Sequence, residues 1–510
     1  MQMQRLNLRS GLCLLSLSAA VLMSACKTEP PPTPPEPAPA PAPAPQPEAP
    51  KRVYADPPAP TAAKPVQFPE IQSFMLENNN LPVYVVENHE VPLVSAQLVI
   101  NAGSMDDEFL AEMTAEMLGE GTKKRSKAKI DTTIEQVGAS ISTGAGIHNT
   151  TLSTRVLKRD LKLALELMAD EVMNPAFPAD ALDKLKKQAK TALKSAKSDS
   201  GTLADTLFGM VAYPEGHPYG RPLPTEAQID AITLEGIKKF HGSFYKANNS
   251  FLILSGDITV DEAGKLVGSS KACGKWQKFT DNSQIPPNPL NKFKAYKGAD
   301  KLTVHLVDRP ASAQAEIRVG NLALARKHPD WIKFQLASTI LGGGSTGRLF
   351  LDVREERGLT YGIYSQVRPG QAPGTWRIWT KTKTKKTADM MRAIFEHLGR
   401  MRGEDPTEAE FTDAVTQSAG SFPLQIETPN QIAGKVRTIL TYGLDKDYWR
   451  TYRDEVRAVQ MADIKAVSAK YIHAVPVIVV VGKAKKVEPL IKEALPNAEI
   501  IKYNTDLQKL

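Results

Sequence analysis

Apolar residues along this chain recur at two spacings, one suited to strands and one to helices, and the order of the segments repeats. The repeat distance is roughly 220 residues, the offset from Val83 to Val304. Val83-Tyr-Val-Val-Glu-Asn88 pairs with Val304-His-Leu-Val-Asp-Arg309, and Ser95-Ala-Gln97 is aligned with Ser312-Ala-Gln314. Each pair of strand-like segments leads to a helical pattern, at 108–119 in the first copy and 329–341 in the second.

The ends of the copies correspond more closely. Ile229, Ile232 and Ile237 fall at i, i+3 and i+8 ahead of the apolar run Phe251-Leu-Ile-Leu-Ser-Gly256. Val456, Val459 and Ile464 repeat that spacing ahead of Val477-Ile-Val-Val-Val-Gly482. An apolar helix face followed by a short, wholly apolar strand predicts an α+β fold of two homologous domains. Each is expected to be a mainly antiparallel sheet with helices packed on it. The first spans 67–280 and the second 291–510, and the Pro- and Asn-rich stretch 281–290 connects them. A chain of 510 residues is long enough for both to have real cores.

The start of the chain follows a different pattern. Arg5 and Arg9 precede an apolar run from Leu12 to Met23 that is too short to span a membrane, so 1–25 is expected to be an export signal peptide. Leu22-Met-Ser-Ala-Cys26 resembles a lipobox, which makes Cys26 the expected site of lipidation and the first mature residue. Lys27 follows instead of the Asp that would mark inner-membrane retention, so an outer-membrane lipoprotein facing the periplasm of a Gram-negative bacterium is expected. Residues 26–66 then read as the lipidated cysteine and a Pro/Ala-rich tether. At ~3.1 Å per residue, Pro30 to Pro65 can hold the folded body up to roughly 110 Å from the bilayer.

Composition removes several alternatives. With Cys13 in the signal and Cys26 acylated, Cys273 is left without a disulfide partner and reads as a small buried hydrophobe. The net charge of +8 falls to about +6 without Arg5 and Arg9, too diffuse for nucleic acid. The basic helix Lys184 to Lys197 reads as a solvated face. Gly342 to Arg348 is rich in glycine but lacks the Gly-Lys-Ser/Thr ending of a phosphate loop, so close backbone packing or cleft motion is its expected use.

Candidate chemistry centres on the helix Phe109 to Thr122. Glu112 and Glu116 lie at i and i+4 on one face, a spacing that two zinc-binding histidines would use, and no histidine is present there. The histidines at 89, 148, 217, 241, 305, 328, 397 and 473 include no pair at i, i+3 or i+4, so a local replacement zinc site is not expected. Two carboxylates suit a hard cation better than zinc, and the sequence offers no third ligand.

Gly121-Thr122, Asn101-Ala-Gly-Ser104, Asn174-Pro-Ala-Phe177, His217-Pro-Tyr-Gly220 and the segment Leu341 to Tyr364 occur in the order and spacing of the pitrilysin/insulinase (inverzincin) metallopeptidases. The chain resembles that family over residues 67–505. The resemblance places Glu112 and Glu116 where the family has its zinc histidines and Ala115 where it has the general base. Leu185 and Ala192 stand where it has two glutamates, Ala192 at the third zinc ligand. The metal constellation is therefore erased: this chain is expected to hold no metal and no catalytic residue of its own. Arg354 and Tyr361 match a family pair, seven residues apart, that hydrogen-bonds the substrate's peptide carbonyls.

What the resemblance implies is a non-catalytic, substrate-positioning subunit of a heteromeric zinc endopeptidase. It would close like a clamshell on a peptide with a family homologue that carries the zinc. The alternative is a peptidase-fold scaffold or peptide-binding lipoprotein with no proteolytic role.

Overall fold

A computed structural model describes residues 66–510 apart from 270, 294–297 and 299. The expected signal peptide, Cys26 and the tether through residue 65 lie outside the described residues. Among the described residues no helix is long and apolar enough to cross a membrane.

The strand-period segments form two six-stranded sheets. The first contains β1 (Gln72–Met75), β2 (Pro82–Glu87), β3 (Leu93–Ile100), β4 (Ile141–Ala145), β5 (Thr150–Leu157) and β6 (Ser250–Gly256), in the order β1-β2-β6-β3-β5-β4. The second contains β7 (Thr303–Asp308), β8 (Gln314–Leu322), β9 (Thr360–Val367), β10 (Thr375–Lys383), β11 (Val477–Gly482) and β12 (Glu499–Tyr503), in the order β12-β7-β11-β8-β10-β9. β2 runs parallel to β6, and β7 runs parallel to β11 and β12. The other neighbours are antiparallel. Five strands of each sheet thus occupy equivalent places, and only the outer neighbour of β2 or β7 has a different origin. β1 precedes the repeat in one half, and β12 follows it in the other.

The pairing register corrects one alignment made from the sequence. Val83 pairs with Leu252 and Val304 with Ile478, while Gln97 pairs with Ile253 and Arg318 with Val479. Ser95-Ala-Gln97 is therefore equivalent to Glu316-Ile-Arg318, not to Ser312-Ala-Gln314. The shared Ser-Ala-Gln letters mislead because Ser312 sits in the loop before β8, where its hydroxyl accepts from Arg309 at 2.9 Å. Side chains alternate across a strand, so the ladder register decides which residues share a face.

That alternation gives each sheet two buried faces. Val94, Ala96 and Leu98 join the core of the first half, whereas Val99, Phe251 and Ile253 face the other way into a core built mainly by the second half. The helix Pro429–Tyr442, from the second half, covers that outer face with buried Ile432, Ala433, Val436 and Ile439. Reciprocally, the helix Ser200–Ala212 of the first half lays Leu203, Ala204, Leu207 and Phe208 on Val307, Val479 and Val481 of the second sheet. Fully burying three side chains of the Leu and Phe type contributes roughly 1.5–3 kcal/mol each, so the exchanged helices clamp the halves together.

The connector belongs to the same packing. Leu290 is buried, and Asn288 donates to Gln371 Oε1 at 2.8 Å.

Candidate functional site: a glutamate-lined cavity and an Arg/Tyr cavity

The helix Glu108–Leu118 starts where Asp107 caps it, its carboxylate accepting from the Phe109 and Leu110 N–H groups at 3.1 and 2.9 Å. Its far end is fixed by the Gly-Thr pair. Gly121 has φ +112°, which favours glycine, and Thr122 donates to Asp170 at 2.8 Å while accepting from the Lys124 and Arg125 N–H groups. Arg125 also pairs with Asp170, so the turn is anchored to the neighbouring helix Leu161–Met173.

Between these anchors Ala111, Met113, Ala115, Met117 and Leu118 are buried, and Glu108, Glu112 and Glu116 follow one another at four-residue steps. All three glutamates line a cavity of about 350 Å³, walled by Gln188, Ala189 and Ala192 of the helix Ala179–Ser198. The Glu116 carboxyl is raised above its ordinary pKa, first by burial and then by the negative charges of Glu112 and Glu120. Burial likewise raises Glu108, opposed by Arg221.

The structure thus brings Glu112, Glu116 and Ala192 to one cavity. Ala115 is fully buried, and Leu185 lies in the hydrophobic core of the first half, 6% exposed and not among the cavity walls. The donor set does not fit zinc: two carboxylates come from one helix, and a methyl group stands where a third ligand is needed. Among the described residues no group of three or more His, Cys, Asp and Glu side chains is arranged to hold a metal.

The second half supplies a different site. Its glycines serve close packing. A Cβ on Gly342 would come within 2.9 Å of the Ser365 nitrogen, and one on Gly347 within 2.7 Å of Gly342 Cα. Arg348, nearly buried, then forks onto Glu410 at 2.6 and 2.8 Å. Burial raises the Glu410 pKa, but the Arg348 fork and the Thr407 N–H outweigh it and hold the carboxyl down at about 2.

The following turn, Phe350–Glu356, is wound as a π-helix, with the Arg357 N–H donating to Asp352 O at 2.9 Å. Asp352 ties it down through Arg357 at 2.8 Å and His397 at 2.7 Å. Gly358, at φ +58°, then turns the chain into β9.

This winding places Arg354 and Tyr361 on one cavity of about 490 Å³. The Arg354 guanidinium lies 4.4 Å from the Phe350 ring centroid and 3.4 Å from Glu355. Tyr361 is 84% exposed, and its hydroxyl bonds no described residue. A guanidinium and a phenol that share a recess can donate to successive carbonyls of an extended peptide.

The sequence reading passed over Lys381, Lys383, Lys385 and Lys386, which line the same cavity. The signal was present as a Lys-Thr-Lys-Thr-Lys-Lys run at the end of a strand. Other singled-out motifs are architectural. A Cβ on Gly103 would meet Gly146 O at 2.5 Å, Phe177 stacks edge-on against His241, and Tyr219 accepts from the Gln371 N–H at 3.0 Å across the halves. Cys273 is buried, which pushes its thiol up to about 12.

Two family models match in succession. Residues 83–215 fit the one described as Insulinase (Peptidase family M16), and residues 231–418 fit Peptidase M16 inactive domain. The chain belongs to the insulinase family.

Among its relatives, a Mycobacterium tuberculosis protein named an uncharacterized zinc protease is 26% identical over 434 residues, 82% of this chain and 93% of that protein. The Helicobacter pylori protein named non-peptidase homolog YmxG is 24% identical over 396 residues, 75% of this chain and 87% of that one. In three dimensions the chain is similar to a crystal structure described as the peptidase M16 inactive domain from Pseudomonas fluorescens. The identity is 27% and the TM-score 0.72, over 81% of this chain and 98% of that one. Within the insulinase family, this member carries Glu112, Ala115 and Glu116 and no histidine on the helix Glu108–Leu118.

Proposed function

We propose that this chain is the non-catalytic, substrate-positioning subunit of a two-chain zinc endopeptidase, exported and held at the outer membrane by a lipid on Cys26. One observation carries the reading. The cavity at Glu112 and Glu116 offers no zinc donor set, while Arg354 and Tyr361 share an open cavity, Arg354 held only by the Phe350 ring and an exposed pair with Glu355. A relative named a non-peptidase homolog and a similar structure named an inactive domain agree with an inactive member of the family. In this reading a zinc-bearing family homologue supplies the metal and activates water, and Arg354 and Tyr361 orient the peptide backbone and polarise the scissile carbonyl.

The scaffold alternative requires Arg354 to be retained for its local contacts. Its pair with Glu355 joins side chains 40% and 55% exposed, and such a pair is worth ~0–1 kcal/mol. Tyr361 exposes most of its ring with no structural return. Both facts favour a binding role.

The test is purification of the full-length chain alone and with the family homologue that co-purifies from the membrane, with metal content and peptide cleavage measured for each. Cleavage and zinc are expected only when the partner is present. Stoichiometric zinc and chelator-sensitive cleavage by this chain alone would overturn the proposal.

A further inference from the structure

We infer that the cavity beside Arg354 and Tyr361 selects peptides by their carboxylates, making the substrate class acidic; this rests on the substrate-positioning role proposed above. Five cationic side chains and one carboxylate, Glu355, line the recess. Lys381 and Lys383 leave β10 on the same face because strand side chains alternate, with Thr382 buried between them. Lys385 and Lys386 follow on the short helical turn Thr384–Lys386, which brings them to the same mouth.

The state of each cation matters more than their number. Lys381 is 3.1 Å from buried Glu316, a carboxylate already bound by Arg318 at 2.8 Å. Lys386 lies 3.6 Å from Asp389. Lys383 and Lys385 form no ion pair with any described carboxylate and stay exposed at the rim, directed to a cavity large enough for several side chains. Like charges held together repel, and an incoming anion relieves that repulsion.

The cavity of the first half provides a contrast within the same molecule. Its charged lining consists of Glu108, Glu112 and Glu116, with no cation among its walls. Opposite signs at two recesses cannot be explained by the diffuse net charge of the chain. Arg354 and Tyr361 serve any peptide backbone, since every residue offers a carbonyl, so they carry no sequence preference. Lys383 and Lys385 add one: Asp and Glu side chains, or a C-terminal carboxylate, seated beside the Arg/Tyr pair.

The test uses the full-length chain in detergent and fluorescence anisotropy with three labelled peptides of equal length. One carries internal Asp and Glu with an amidated C terminus. The second has Asn and Gln at those positions and is also amidated. The third is the second with a free C-terminal carboxylate. The acidic peptide is expected to bind roughly tenfold tighter than the neutral amide at low ionic strength. That advantage should shrink at ~0.5 M salt, where exposed charges are screened within a few ångströms.

In K383E/K385E the acidic peptide's affinity should fall at least ~tenfold, to or below the level of the neutral amide. A gain confined to the third peptide would assign the recess to the C-terminal carboxylate, within the same chemistry. Equal binding of all three peptides that Arg354→Ala abolishes would overturn the charge selection and leave the positioning role standing. No binding of any peptide would overturn both. Acidic binding lost in K383E/K385E but indifferent to Arg354→Ala and Tyr361→Phe would uphold the selective recess and remove the positioning role.

Discussion

Arg318 on β8 donates to Asp205 on the helix Ser200–Ala212 at 2.5 Å, and so ties the second sheet to a helix that belongs to the first half. Arg377 reaches the same carboxylate at 2.9 Å. In the equivalent place of the first sheet, Gln97 donates to Asn430 on the helix Pro429–Tyr442 at 3.1 Å. One half uses charge and the other uses amides for the same clamp.

This asymmetry sets an expected order of damage. Asp205→Ala leaves two guanidinium groups, each 5% exposed, short of a carboxylate, and should destabilise the fold by about 3 kcal/mol. Asn430→Ala should cost about 1 kcal/mol, since it removes only neutral hydrogen bonds, those from Gln97 and Ser95. Urea denaturation of both variants checks the order. Equal shifts would mean that the ion cluster adds nothing to the clamp.

Arg354→Ala and Tyr361→Phe should each lower turnover by the assembled two-chain peptidase by ~10-fold or more. Both side chains sit on the open cavity, so stability should change by no more than ~0.5 kcal/mol. Steady-state kinetics on the mixture, with melting curves of this chain alone, separate the two effects. Unchanged turnover in both variants would remove the positioning role.

The cavity at Glu112 and Glu116 should accept a metal centre by substitution, because Glu112, Glu116 and Ala192 already face it together. Full-length chain carrying E112H, A115E, E116H and A192E is expected to retain zinc through dialysis, with histidine and carboxylate donors in place of the present set. The natural chain should retain none. Metal analysis of both proteins decides, and a quadruple variant that folds without binding zinc would show that the backbone has drifted from a metal-holding geometry.

His148 should make the junction between the halves sensitive to acid. Its ring packs edge-on against Tyr219 and Tyr442 at centroid distances of 5.5 and 5.6 Å, and burial lowers its pKa from 6.5 to about 4. The unfolded chain takes up that proton below about pH 6.5 and the folded chain only near pH 4. The contribution is therefore complete above 6.5 and is lost as pH falls toward 4. His148→Phe keeps a ring there and removes the proton. Between about pH 7 and about pH 4.5, the variant should lose about 2 kcal/mol less stability than the natural chain. Parallel acid profiles for the two proteins would contradict this.

Cys26→Ala should abolish incorporation of labelled fatty acid into the chain. Metabolic labelling with immunoprecipitation reads this directly. Equal label in the substituted and natural chains would rule out the lipid anchor proposed at Cys26.

The sequence by itself determined the repeated strand and helix segments, because side-chain periodicity is local and each segment declares which of its positions are buried. It also showed that no histidine stands on the helix Phe109 to Thr122, since residue type is read directly from the chain. It could not tell whose surface covers the outer face of each sheet. The apolar stripes of Ser200–Ala212 and Pro429–Tyr442 require burial but do not name a partner, and only the tertiary structure shows that the helices are exchanged. For the same reason Ser95, Gln97, Glu316 and Arg318 look misplaced in apolar strands until the facing helix is seen.

The same distinction holds at the sites. The resemblance set Leu185 and Ala192 at two glutamate positions of one helix, and packing placed Ala192 at the cavity and Leu185 in the core. Arg354 and Tyr361 lie seven residues apart in one segment and share one cavity, but the lysines beside them come from a neighbouring strand and turn, a juxtaposition fixed by the pairing of β9 with β10. Local spacing is written in the chain, whereas proximity between distant segments is decided by how their buried faces pack.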